Sequence, residues 1–358
     1  MKYNKTIILF FVVVKLFSIE NVLKNSDLRV PKIDYDPETY ICLSTSEKLN
    51  FDGKGSETAW INAQWTDLFV DIEGDLKPKP EFETKVKMLW DNEYMYFYAE
   101  MVEPHLWATL TERDAVIYYD NDFEIFIDPD GDTHNYYELE FNLFGTLWDL
   151  MLTKPYRDGG HAIDAWDVRD IKYALNLDGT LNDPSDIDKG WSIEVAIPWK
   201  VLEEAANHGG PPINKEQWRI NFSRVQWDTE IINGEYVKKK APEHNWVWSP
   251  QGLIAMHFPE MWGIVEFRKN DVQINEVVES YAEEKWILRQ LYYGMKYYKD
   301  KNKIYPHNLE ELYSFLKIKD LDVNPDLQLT NTMFEITLIS EDKVKWHVNN
   351  NGKIWMDK

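Results

Sequence analysis

A single cysteine, Cys42, occurs among 358 residues. One thiol cannot close an internal disulfide, so packing alone must hold the fold, and zinc sites built from clustered cysteines are excluded. Basic side chains are also in short supply: 39 Lys and Arg stand against 62 Asp and Glu, a formal charge of −23. A surface of that sign repels phosphate backbones and anionic membrane faces. Nucleic acid is therefore not an expected partner, and an uncharged ligand is. No G-x-S-x-G, H-E-x-x-H, P-loop or Rossmann glycine signature occurs. A glycosidase needs only two carboxylates at a suitable separation, so that class stays open.

Long apolar runs are scarce too. The longest is Ile7–Val14, extended past Lys15 by Leu16 and Phe17 and preceded by Lys2 and Lys5. It is too short to span a bilayer, which takes about 20 residues, but has the form of a secretory signal. Residues 1–22 are expected to be such a signal, with the mature chain in the periplasm, at the cell surface or outside the cell. No cysteine stands directly after the run, which argues against a lipoprotein signal.

Aromatic residues are abundant. Of 16 Trp, 13 lie between Trp60 and Trp262, within a region of short apolar runs punctuated by turn residues. That pattern predicts an all-β sandwich over residues 23–268. Phe82, Thr84, Val86, Met88 and Trp90 alternate with polar neighbours, and Met95–Ala99 is apolar on both faces, as in a central strand. Phe123, Ile125 and Ile127 alternate with Glu124, Phe126 and Asp128; Asp128-Pro129-Asp130-Gly131 makes a turn; Tyr137, Leu139 and Phe141 then alternate with Glu138, Glu140 and Asn142. Trp199–Asn207 is the best helical stretch in this region. After Arg268 the pattern changes to a helix over Glu276–Asp300, a second over Leu309–Leu316 capped by Asn308, and strands at Phe334–Leu338 and Val344–Val348. Residues 269–358 are thus expected to form a small α+β domain, available to dock a protein partner.

Indole faces suit the C–H faces of pyranose rings, although a large sandwich also packs Trp in its core. Trp107, Trp148, Trp166, Trp246 and Trp248 lie in loops or beside polar clusters and are the better ligand candidates. The predicted hairpin places Glu124 on one face with Glu138, Glu140 and Asn142, where carboxylates and an amide can meet sugar hydroxyls. A solvated sheet face accounts for them as well. Asp128, Asp130 and Asp132 suggest calcium, yet Thr133 stands where an EF-hand needs Gly. Arg113 and Arg224 are ion-pair or ligand candidates; Arg224 falls in phase with Ile220 and Phe222, so it wants a buried partner. His257 lies beyond Trp246 and Trp248, in a segment able to line a site.

These segments together resemble carbohydrate-binding module family 9 and its free-standing relatives on the DOMON-like β-sandwich. The resemblance rests on Leu49-Asn-Phe-Asp-Gly, Leu89-Trp-Asp-Asn-Glu, Asp120-Asn-Asp-Phe-Glu-Ile-Phe-Ile-Asp, Tyr136-Tyr-Glu-Leu-Glu-Phe-Asn, Gly190-Trp-Ser-Ile-Glu-Val and Trp218-Arg-Ile-Asn-Phe-Ser-Arg, with Asn245-Trp-Val-Trp near the end. It implies a terminal sugar clamped between two Trp, helped by a Glu, an Arg, amides and calcium. Glu124 matches the Glu and Asn142 an amide, but Glu140 stands at the Arg position. The clamp positions fall near Tyr118 and Met256, with Tyr118, Tyr119 or Trp107 able to replace one aromatic wall. The resemblance implies a carbohydrate-binding protein for a neutral glycan, taking part in polysaccharide use. Alternatives are a glycoside hydrolase or accessory lyase, a haem site through Met256 and His257, and a sandwich that has lost its ligand.

Overall fold

Side chains that alternate along a strand sort themselves to the two faces of a sheet, and a sheet with one apolar face must cover it. The computed structural model describes residues 19–269, 277–318 and 323–357. The apolar run Ile7–Val14, read as the centre of a secretory signal, lies outside them. Two compact units form, one from Tyr35–Val277 and one from the described residues of Met1–Asp34 and Val278–Lys358. No helix among the described residues is long and apolar enough to cross a membrane.

In the larger unit the strands are β1 (Thr39–Ser44), β2 (Val70–Asp71), β3 (Thr84–Trp90), β4 (Tyr94–Val102), β5 (Asp122–Asp128), β6 (Tyr136–Asn142), β7 (Leu147–Leu152) and β8 (Ala162–Ile163). They continue as β9 (Lys172–Asp178), β10 (Gly190–Pro198), β11 (Gln217–Gln226), β12 (Thr229–Ile232), β13 (Glu235–Lys238), β14 (His244–Val247) and β15 (Gly263–Arg268). A 13-stranded sheet runs in the order β8-β7-β6-β5-β11-β15-β1-β3-β4-β10-β9, with β14 and β2 added beside β11. It is doubled on itself about β1, which lies parallel to both β15 and β3. The two halves meet face to face: Phe97 of β4 lies 5.7 Å from Phe222 of β11, and Phe141 of β6 lies 5.2 Å from Tyr173 of β9. The fold is the expected mainly β sandwich.

The interior is filled from alternate positions, among them Phe123, Ile125 and Ile127 of β5 and Tyr137, Leu139 and Phe141 of β6. β4 is central, between β3 and β10, as its two apolar faces predict. Its outward residues Tyr96 and Tyr98 are covered by Trp60 of the helix Thr58–Asn62. The helix expected over Trp199–Asn207 is one turn only, Trp199–Leu202, which suffices to bury Trp199 and Leu202. A hairpin not anticipated from the pattern, β12–β13, turns at Asn233-Gly234, both with positive φ.

The smaller unit holds the helices Ala282–Asn302 and Leu309–Leu316 and an antiparallel sheet of β16 (Asp326–Leu329), β17 (Phe334–Ile339), β18 (Lys345–Asn349) and β19 (Ile354–Met356). Asn308 caps the second helix as predicted, accepting the Glu311 N–H at 2.8 Å.

Candidate functional site

The period of two that sends Phe123, Ile125 and Ile127 inward sends Asp122, Glu124 and Phe126 to the outer face of the sheet. Across the hairpin, Asp122 faces Asn142, Glu124 faces Glu140 and Phe126 faces Glu138. On the other side of β5, Ser223 of β11 stands opposite Glu124. Three carboxylates converge there: Asp122, Glu124 and Glu140 each offer an oxygen within 4.8 Å of the others. An apolar patch of Phe126, Tyr136, Leu150, Leu152, Met256 and Trp262 lies beside them on the same outer face. Glu124 is accordingly 4% exposed and Glu140 1%.

Burial disfavours the charged form of all four acids and raises their pKa values, and mutual repulsion adds to this for Asp122, Glu138 and Glu140. Burial pushes Glu124 up to about 7, with the Ser223 hydroxyl opposing slightly. Few donors compensate. Asp122 Oδ1 accepts the Val225 N–H at 3.0 Å, and Glu140 Oε2 accepts the Tyr118 N–H at 3.0 Å. Asp122 Oδ2 is buried without a hydrogen bond, and the buried Ser223 hydroxyl has Glu124 beside it.

Aromatic rings border this floor. The Tyr118 ring lies 6.3 Å from Trp148 and 4.9 Å from Tyr119, and Trp148 stands opposite Glu140 across the β6–β7 pair. Trp227 Nε1 donates to the Tyr118 carbonyl at 2.8 Å, and Lys238 of the β12–β13 hairpin donates to the Tyr119 carbonyl at 2.6 Å. Lys238 also rests 3.7 Å above the Trp227 ring, so two hydrogen bonds and a cation–π contact set the aromatic segment in place. Tyr156, half exposed, feels the charges of Glu138 and Glu140 and packs 4.6 Å from His257. His257 shares a hydrogen bond of 3.1 Å with the Tyr136 hydroxyl, and burial together with Arg157 presses its pKa down to about 3. It is a neutral wall.

Of the residues singled out in the sequence, Tyr118, Tyr119, Glu124, Glu140, Trp148 and His257 thus share one face. Asn142 adjoins them but has nothing left to offer. Its amide donates to the Leu110 carbonyl and Asp120 and accepts from the Phe144 and Thr146 N–H groups, which closes the β6–β7 turn. Arg224 points the other way, into the sandwich, where Glu103 at 3.0 Å, Thr84, Gln226 and the Val102 carbonyl hold it. Trp248 is core: it packs 5.8 Å from Phe222, and a Cβ on Gly263 would lie 2.4 Å from its ring. Arg113 pairs with Asp149, whose side chain lies on the opposite face of β7 from Trp148. Trp107 is buried, 5.9 Å from Lys238.

Asp128, Asp130 and Asp132 also bring ligand oxygens within 4.8 Å, a donor set of calcium's type. Both Asp128 oxygens accept N–H groups, from Gly131 and Thr133, Asp130 accepts from Asp132, and Asp132 accepts from His134. These bonds close the β5–β6 turn by themselves.

Asp122, Ser223 and Tyr156 were not singled out from the sequence. Asp122 was within reach, since it alternates with Glu124. Ser223 needed the β5–β11 register, and Tyr156 sits in a single 3₁₀ turn too short to give a periodic signal.

The comparisons with known proteins place this hairpin in context. Among curated proteins none matches the chain. Several solved structures resemble it, three of them as follows. One is a proposed carbohydrate-binding protein from Bacteroides uniformis, with 17% identity, 65% of this chain and 100% of that one covered, and a TM-score of 0.48. A family 9 carbohydrate-binding module from Caldicellulosiruptor kristjanssonii was solved with cellotriose, at 14% identity, 67% and 100% coverage and a TM-score of 0.41. The same organism's module was also solved with glucose, at 16% identity, 66% and 100% coverage and a TM-score of 0.43. Residues 51–214, which include β5, β6, β7 and the Tyr118 segment, match the model of the "Carbohydrate family 9 binding domain-like" family. Through that segment, a little under half of its length, the chain is similar to the carbohydrate family 9 binding domain-like family.

Proposed function

We propose that the outer face of β5, β6 and β7 binds a neutral poly- or oligosaccharide, in an exported protein that takes part in polysaccharide use. One observation carries the reading: Tyr118, Trp148 and Tyr156 border the floor that holds Glu124, Glu138 and Glu140. Flat rings bury the C–H face of a sugar at small entropic cost, while carboxyl groups accept from its hydroxyls in fixed directions. The net charge of −23 favours an uncharged glycan over a phosphorylated or sulfated one. The apolar run after Lys2 and Lys5 supports export.

Calorimetry against a panel of neutral oligosaccharides tests this. Saturable binding is expected, weakened at least tenfold by Tyr118→Ala and by Glu124→Gln. A panel with no hits, the protein being folded, overturns the reading. Two close acids, one held near neutrality, are also what a retaining glycosidase uses. Product release, abolished by Glu124→Gln, would turn the binding site into an active site.

A further inference from the structure

We propose that the leader is cut no later than the peptide bond between Ser18 and Ile19, and that residues 19–34 stay with the mature chain as a structural part of the smaller unit. The proposal rests on the export reading only for there being a cut. The role of residues 19–34 stands on their packing.

The smaller unit is discontinuous in the chain: it joins the described residues before Tyr35 to those from Val278 onward, with Tyr35–Val277 between them. Residues 19–24 are helical. Ile19 is 0% exposed, Leu23 2% and Val30 2%, which is the burial of core side chains and not of a leader's tail. Leu23, Val30 and Ile33 line a small cavity together with Trp286 and Tyr293 of the helix Ala282–Asn302.

Polar contacts fix the path of the segment. The Lys32 ammonium donates to the Leu23, Ser26 and Leu28 carbonyls at 3.3, 3.1 and 3.0 Å, which satisfies acceptors that the end of a helical turn leaves open. The Ser26 hydroxyl donates to the Leu23 carbonyl at 2.6 Å, and the Asn25 amide to the Asn21 carbonyl at 2.8 Å. Lys301, near the end of the helix Ala282–Asn302, pairs with Asp27.

A cut after residue 22, where the apolar pattern alone ends the leader, discards Ile19 and most of this helical turn. Ser18 is the first small residue after the apolar run, as the position before a leader's cut requires. Under an export protease, water adds across the Ser18–Ile19 bond: Ser18 leaves with the new carboxylate and Ile19 keeps the new amine. Glu20, in the first turn, offsets the positive charge that this places at a helix start.

The mass of the full chain, expressed with its own N-terminus in an exporting bacterial host and recovered outside the cytoplasm, reads the cut directly. A mature chain that begins at Ile19 or earlier is expected, and one that begins at any later residue overturns the proposal. Thermal melts and amide exchange then compare leaderless chains that begin at Ile19 and at Asn25. The shorter chain should melt about 10 °C lower or more, because a buried Ile and a buried Leu leave the core of the smaller unit together. Its helix Ala282–Asn302 should exchange at least about tenfold faster. Should the shorter chain fail to fold, Leu23→Ala in the longer one decides, with a drop of several degrees expected. Equal melting and equal exchange overturn the structural role. A chain recovered with Met1 in place removes the cut and its support for export, while the melts still decide the role of residues 19–34. Neither measurement involves a sugar, so a panel without glycan hits leaves both results standing.

Discussion

Glu124 and Glu140 face each other across two neighbouring strands, with no basic side chain paired to either among the described residues. Two buried like charges at that spacing cannot both stay ionised without a counter-charge. Much of this protein's behaviour with pH should follow from that pair and the acids beside it.

The protein should lose stability as pH rises. Glu124 has a folded pKa of about 7 against an ordinary 4.5, so between those values the native state binds more protons than the unfolded chain. Stability is full below about pH 4.5 as far as this group is concerned, and falls as pH climbs through 7. The loss is on the order of 3 kcal/mol. Urea denaturation at pH 5 and pH 8 measures it, and Glu124→Gln should flatten the difference. Equal stability at both values would show that the acids are compensated by something else.

His257 works in the opposite sense. Its folded pKa of about 3 lies below the ordinary 6.5, so the unfolded chain takes up a proton that the native state refuses between those limits. Stability from this group is complete above about pH 6.5 and drains away as pH falls toward 3. Side-chain NMR should show a neutral ring at pH 5, still hydrogen-bonded to Tyr136; a ring that titrates near 6.5 would mean that the wall is open to water.

Arg224→Leu should damage the scaffold and spare the ligand. It strands Glu103 inside the sandwich, and breaking a buried pair from one side costs about 3–5 kcal/mol. Chemical denaturation should register this, while calorimetry on the folded fraction finds unchanged glycan affinity. A selective loss of affinity at full stability would move Arg224 into the site.

Asn142→Ala and Tyr118→Ala should divide in the same manner. Asn142 holds the β6–β7 turn through four hydrogen bonds, so its loss costs about 2–4 kcal/mol of stability. The Tyr118 ring is partly buried and touches Tyr119 and Trp148 near the surface, so its removal should cost about 1–2 kcal/mol, less than the turn-former. Melting temperatures and calorimetry on the two variants separate a turn-former from a ligand wall.

Much of the hairpin was legible in advance. Phe123, Ile125 and Ile127 against Glu124 and Asp128 assign the two faces of β5 with no knowledge of the rest of the chain, because the pleat repeats every second residue. Asp128-Pro129-Asp130-Gly131 sets the turn, Met95–Ala99 marks a strand covered on both sides, and Asn308 announces a helix start. The site was legible in part: Tyr118, Tyr119, Glu124, Glu140, Trp148 and His257 do share a face, but Asn142, Arg224 and Trp248 have their bonding or their surface consumed by the scaffold.

The sequence by itself determined which face of each strand is apolar, since that depends only on neighbours one and two residues away. Tertiary structure alone decided what lies across from each residue. β11 enters the sheet beside β5 about a hundred residues later in the chain, bringing Ser223 to Glu124 and Asn221 to Phe126. The same strand carries Arg224 to Glu103, so a buried charge on one face is paired while those on the other are not. Strand order is a long-range outcome of burying the whole interior at once, and no local pattern encodes which acid receives a partner.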